Sequence, residues 1–215
     1  MVAGLKRSYK GRIVEEIYTA LGQQDYQAEI TQLRSKNPKA VFVFLPGGMG
    51  IQFLKQYDQA GLRGQLPLYS VYTVDEISIP AVKDAAVGIY ETRYWSPDLK
   101  NPANEKFVTD YRKKYGKLPV FYGAQSYDSI LLIDSAVKAT KGNLKDTKAL
   151  VTAMRRADFN SLRGPFEYNV NHHPIQNFYL LKTEKLANGD IEMRIQKTIF
   201  EKHKDSYYQD CKMKW

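Results

Sequence analysis

The strongest constraint on this chain is the alternation of short apolar runs with helical patterns through its first half. Residues 40–45, Ala-Val-Phe-Val-Phe-Leu, form a continuous apolar run, the pattern of a strand covered on both faces. Gly47 and Gly48 then turn the chain into a helical stretch through Ile51, Phe53, Leu54 and Tyr57, closed by Gly61. Residues 66–71 predict a strand, a short helix follows near 80–85, and residues 87–92 predict the next strand. Upstream, residues 11–18 read as a strand. They lead to a helix with Ile30 and Leu33 three apart on one face, Asp25 as its N-cap and Asn37-Pro38 as its stop. Strand–helix–strand at this spacing implies parallel pairing through right-handed crossovers. The expectation is an α/β fold: a parallel sheet from the four strands near 11–18, 40–45, 66–71 and 87–92, with helices on both faces.

Trp95-Ser96-Pro97-Asp98 breaks the alternation. Two amphipathic helices are predicted next. Residues 104–115 carry Phe107, Val108, Tyr111 and Tyr115, and residues 124–139 carry Tyr127, Ile130, Leu131, Ile133, Ala136 and Val137. A third runs from Asp146, a good N-cap, to about residue 156. Strands return at 166–168, 178–181 and 191–195, the last two joined by Asn188-Gly189-Asp190, a strong hairpin signal. From Lys202 the sequence is a charged, aromatic tail, expected to be poorly ordered.

Composition excludes several classes. At 215 residues the chain can bury a sizeable core unaided. A single cysteine, Cys211, excludes an internal disulfide framework and a Cys-rich zinc site. No run approaches the roughly 18–20 apolar residues of a membrane span. The net charge of +9 could suit nucleic acid, but acids and bases are mixed along the chain. The densest basic stretch, 111–117, falls at a predicted helix C-terminus, where the dipole favours cations. His172-His173 lacks a third residue at metal spacing. No Gly-x-Ser-x-Gly elbow or His-Glu-x-x-His helix is present, and no Gly-Lys-Ser/Thr follows Gly47-Gly48. The expectation is no enzyme chemistry, no cofactor, no metal and no nucleic-acid partner.

A set of short motifs then points to a family. They are Gln24-Asp25-Tyr26, Asn37-Pro38-Lys39-Ala40-Val41-Phe42-Val43, Gly47-Gly48-Met49, Gln56-Tyr57-Asp58-Gln59-Ala60-Gly61-Leu62 and Asp84-Ala85-Ala86-Val87-Gly88. Asn101-Pro102, Tyr115-Gly116-Lys117-Leu118-Pro119, Tyr122-Gly123-Ala124-Gln125-Ser126-Tyr127-Asp128 and Leu162-Arg163-Gly164-Pro165-Phe166 follow. In this order the chain resembles the periplasmic substrate-binding proteins of ABC transporters, in the branched-chain amino acid (Leu/Ile/Val) cluster. The resemblance implies a periplasmic-binding-protein type I lobe: a parallel sheet flanked by helices, one of two lobes around a cleft.

It also implies a division. Residues 1–93 correspond to the second-lobe core. Residues 94–165 are hinge crossings and helices that belong with the first lobe, 166–201 are strands returning to the second lobe, and 202–215 form the charged tail. The first-lobe sheet is missing from this sequence, and the opening residues resemble the inside of a family helix. Residues 1–7 lack the features of a signal peptide. The family is periplasmic, whereas a true start at Met1 would leave the product cytoplasmic. The helices at 104–139 would then present an apolar surface available for self-association.

The resemblance implies capture of a small organic ligand, an amino acid or an aromatic or carboxylic acid, and its delivery to an ABC permease in the membrane. A ligand-sensing regulatory domain on the same fold is the alternative. The implied ligand loops contain Pro46, Gly47, Gly48 and Met49; Tyr72, Thr73 and Asp75; and Phe121, Tyr122 and Gln125. This agrees with the rule that open α/β sheets bind ligands beyond the carboxyl ends of their strands. Gly47 and Gly48 either let a ligand approach the backbone or form an ordinary turn. Tyr72, Phe121 and Tyr122 either wall a pocket or belong to the core. Asp75 either pairs with a ligand ammonium or caps the short helix. The family carboxylate that holds an amino group falls near Val71 or Tyr72 here, so the resemblance leaves an aromatic acid open as the ligand.

Overall fold

A computed structural model of the chain describes residues 2–213. Met1, with which the helical opening was read to begin, and Lys214 and Trp215 of the predicted tail lie outside the described residues. The chain forms two compact units, residues 1–92 with 181–194 and residues 93–180 with 195–215. It is a mixed α/β structure, a sheet flanked by helices.

In the first unit, α1 (Val2–Ser8) and α2 (Gln27–Lys36) precede β1 (Val41–Val43), α3 (Gly48–Gln59) and β2 (Leu68–Ser70). The short α4 (Ile79–Val82), a 3-10 turn (Lys83–Ala86) and β3 (Tyr90–Arg93) follow. β1 pairs parallel with β2, Val41 opposite Leu68, and β2 pairs parallel with β3, Tyr69 opposite Tyr90. The core is built where α2 and α3 bring their apolar faces inward: Ile30, Phe53, Leu54 and Tyr57 are buried with Leu68 and Ile89. Tyr26 meets Phe53 edge-on, with ring centroids 5.5 Å apart. The unit is completed from the far end of the sequence, where Gly88 N–H donates to Thr183 O and Thr183 N–H donates to Ile89 O.

Three of the four predicted parallel strands form. The fourth does not: residues 11–18 run as irregular chain with none of them buried. Glu15 and Glu16 hold Lys36 and Lys6 in ion pairs there, and among the described residues no strand pairs with this stretch. Two further expectations shift. Asp25 stands two residues before α2, and its Oδ1 takes the N–H of Gln27; Tyr26 occupies the cap position without a side-chain capping bond, its hydroxyl donating to Gln23 O instead. The run at 40–45 is not covered on both faces, because Phe42 and Phe44 stay 37% and 44% exposed. Phe42 lies opposite Tyr69, whose ring stacks on Tyr90 at 5.0 Å.

In the second unit, α5 (Pro102–Tyr115), α6 (Phe121–Ala139) and α7 (Thr147–Arg156) are followed by β4 (Glu167–Tyr168). Asn101 caps α5 by accepting from Ala103 N–H, and Asp146 caps α7 by accepting from Ala149 N–H. Trp95, Phe107, Phe121, Ala124 and Leu162 form the core cluster, and the Trp95 indole donates to Asn104 Oδ1 at 2.7 Å. β4 pairs antiparallel with β5 (Pro174–Lys185). The hairpin partner of β5, β6 (Ile191–His203), runs well past the predicted end at 195. A 3-10 turn at Tyr208–Asp210 follows, so the described part of the tail carries structure. Each of the two units takes one end of both β5 and β6.

Candidate ligand site

In the first unit, parallel pairing puts the carboxyl ends of β1 and β2 on the same edge of the sheet. The loops leaving them are therefore neighbours, and one hydrogen bond joins them directly: Leu45 N–H donates to Thr73 Oγ1 at 3.1 Å. Gly50 keeps the loops close. A Cβ there would lie 2.3 Å from Leu45 O and 2.9 Å from Thr73 O, so the first turn of α3 fits only without a side chain. Gly47 takes φ +64, which favours glycine. A Cβ on Gly47 or Gly48 would meet nothing within 4 Å, and both are exposed. The amino end of α3 thus opens on free space, a position that suits an anion.

On the adjoining loop Tyr72 is 38% exposed, preceded by the half-buried Val71 and followed by the buried Thr73 and Val74. Thr73 is a tie between loops, and its hydroxyl is taken up by Leu45. Pro46 is exposed and Met49 half-buried, with Met49 Sδ accepting from Gly22 N–H at 3.4 Å. Asp75 closes the turn before α4 rather than capping that helix, its Oδ1 accepting from Ile77 N–H at 3.1 Å and Ser78 N–H at 2.7 Å, while Ser78 takes the cap position. Sequence reasoning missed Glu91. This buried carboxylate accepts from the Ser70 hydroxyl, from Tyr72 N–H and, at 3.4 Å, from Val74 N–H. Its place in an alternating strand, Ile89-Tyr90-Glu91-Thr92, reads as an ordinary polar position.

In the second unit, Phe121 is 5% exposed and belongs to the core cluster, with the Arg93 guanidinium 4.6 Å over its ring. It is a core residue before it is a pocket wall. Tyr122, by contrast, is 58% exposed. Gln125 Oε1 accepts from the Tyr94 hydroxyl at 3.3 Å. Below this end of α6, Asp128 is buried and accepts from the Ser161 hydroxyl, Leu162 N–H and Arg163 Nε. That network fixes the first turns of α6 against the segment at 161–163.

A separate groove of about 240 Å³ opens at the opposite, amino-terminal edge of β2 and β3. Tyr57, Leu66, Leu68, Tyr90 and Lys182 line it, and none of the sequence-predicted residues does. His172 and His173 are exposed in the turn before β5. Among the described residues, no three His, Cys, Asp or Glu side chains cluster to hold a metal, and no helix is long and apolar enough to cross a membrane.

Residues 1–190 match the family described as periplasmic binding protein. Leu/Ile/Val-binding protein homolog 6 of Brucella melitensis is 29% identical over 185 residues, 83% of this chain and 47% of that protein. Among solved structures, a solute-binding protein of an ABC transporter from R. palustris, in complex with benzoate, matches with a TM-score of 0.81 and 32% identity. That match covers 92% of this chain and 54% of the other. A solute-binding protein from Rhodopseudomonas palustris HaA2, in complex with p-hydroxybenzoic acid, matches with a TM-score of 0.84 and 26% identity over 95% and 57% of the two chains. The chain therefore spans about half the length of these relatives.

Proposed function

Because the chain belongs to the periplasmic binding protein family, we propose that it is the ligand-holding part of an ABC importer's solute-binding protein and that its ligand is a small aromatic carboxylate. The observation that carries this reading is the open amino end of α3 at Gly47 and Gly48, with the Tyr72 ring exposed on the adjoining loop. A carboxylate would accept from the free backbone N–H groups of the first helical turn, and the ligand ring would lie against the tyrosine. Pro46 and Met49 would border that space. Two neighbours of known structure hold benzoate or its 4-hydroxy derivative. An α-amino acid would need a carboxylate for its ammonium group. In these loops Asp75 has its Oδ1 committed to two backbone N–H groups, and position 72 holds a tyrosine. The protein would act in the periplasm, handing its ligand to a membrane permease, and a ligand favours the delivered conformation only by binding it better.

The test is a titration of the isotopically labelled 215-residue chain with benzoate and, separately, with leucine, followed by amide shifts. Benzoate is expected to move Gly47, Gly48 and Tyr72, and leucine is expected to leave them in place. Shifts confined to other residues, or a stronger response to leucine, would overturn the reading.

A further inference from the structure

We infer that Glu91 is a positioning residue for this site: its buried carboxylate holds Tyr72 in a left-handed backbone conformation that keeps the tyrosine ring facing outward. The inference rests on the reading above for what the ring meets, and on the following geometry for how it is held.

Glu91 lies in β3 and is 1% exposed. Its register partner in β2 is Ser70, the last residue of that strand. The carboxylate reaches beyond that strand end. One oxygen accepts from the Ser70 hydroxyl and, at 3.4 Å, from Val74 N–H, and the other accepts from Tyr72 N–H. A single side chain thus bridges the last residue of β2 and alternate residues of the loop that follows. Tyr72 has φ +54, a conformation that a bulky residue adopts only when its surroundings impose it. On either side of it the loop is shut in, with Val71 half-buried and Thr73 and Val74 buried. Tyr72 alone in this stretch is exposed.

These facts form one device. Burying a carboxylate is costly unless donors satisfy it, and charge-assisted bonds to backbone N–H are among the strong ones. Neither serine nor threonine could span Ser70, Tyr72 and Val74 from the position of Glu91, because each offers one oxygen on a short stem. With the acceptor gone, Tyr72 would relax to negative φ, and its ring would change direction.

The experiment compares amide spectra of the 215-residue chain, without ligand and then with benzoate, in wild type, E91Q, E91L and E91D. Gln keeps an acceptor for Tyr72 and can donate to the Ser70 hydroxyl. Leu keeps the bulk and removes the acceptor, and Asp keeps the charge but shortens the reach. Without ligand, the Tyr72 amide proton is expected downfield in wild type and E91Q, and moved upfield in E91L and E91D. With benzoate, the dissociation constant is expected to rise about tenfold in E91L and E91D, the effect of losing about one charged hydrogen bond, and less than about threefold in E91Q. A wild-type Tyr72 amide and wild-type affinity in E91L or E91D would overturn the inference, as would an E91Q loss equal to that of E91L. If E91L fails to fold, E91D decides. If wild type does not respond to benzoate, the ligand reading fails, and the ligand-free amide comparison still judges Glu91 by itself.

Discussion

Gly48 and Gly50 stand two positions apart in the first turn of α3 and carry opposite constraints. Around Gly48 a methyl group would find open space, whereas at Gly50 it would strike the carbonyl oxygens of Leu45 and Thr73. Gly50→Ala is expected to cost about 1–3 kcal/mol, the usual penalty of overpacking. Gly48→Ala should stay within about 0.5 kcal/mol of wild type. Urea unfolding of both variants checks the pair. Tyr57 gives a second residue-level prediction. Its hydroxyl donates to Leu66 O at 2.7 Å, and burial pushes the phenol well above its ordinary range. A group with a higher pKa in the folded state stabilises fully below the unfolded pKa, about 10 for a phenol, and loses that contribution as pH rises beyond it. The melting temperature should therefore fall above about pH 10, and Tyr57→Phe should flatten that fall while costing about 1 kcal/mol at neutral pH.

Among the elements, α6 is the one whose sequence and burial are most at odds. Tyr127, Ile130 and Ile133 form a stripe three residues apart and are 45%, 64% and 45% exposed. Burying a large apolar side chain is worth about 1.5–3 kcal/mol, so the stripe carries a drive towards contact. Association that grows with concentration is expected in light scattering. Ile130→Glu should weaken it with little change in melting temperature, and a monodisperse monomer at all concentrations would contradict the expectation. The helix was legible because its apolar residues recur at helical spacing over many positions. Its phase at the first turn was not, and so Phe121 and Tyr122, both aromatic and adjacent, could not be told apart as core and surface. Residues 11–18 misled in another way: their apolar residues suit a strand, but a strand exists only where a neighbour pairs with it. The turn at Gly47-Gly48 was readable from the apolar run before it and the helical spacing after it. Glu91 and Gly50 were not, since each acts on residues distant in sequence.

For the whole molecule, the share of its relatives' length is the governing fact. A chain that spans about half the length of its solute-binding relatives is expected to surround only part of a small ligand, whereas ligand pockets commonly bury 70–90% or more of a ligand's surface. Calorimetry of the 215-residue chain with benzoate should give a dissociation constant weaker than micromolar, and tighter binding would show that these residues alone enclose the ligand. The two long strands at the end of the sequence have a further consequence, which concerns the order of synthesis. The first compact unit takes residues 181–194 as well as 1–92, and Thr183 supplies the hydrogen bonds to Gly88 and Ile89. On a ribosome adding roughly 5–20 residues per second, the start of the chain emerges several seconds before the strand that completes its sheet. Over that interval the edge beside β3 lacks the strand that later covers it. An unpaired strand edge is a template for pairing with another chain, so for this protein the hazard of aggregation is greatest while it is being made.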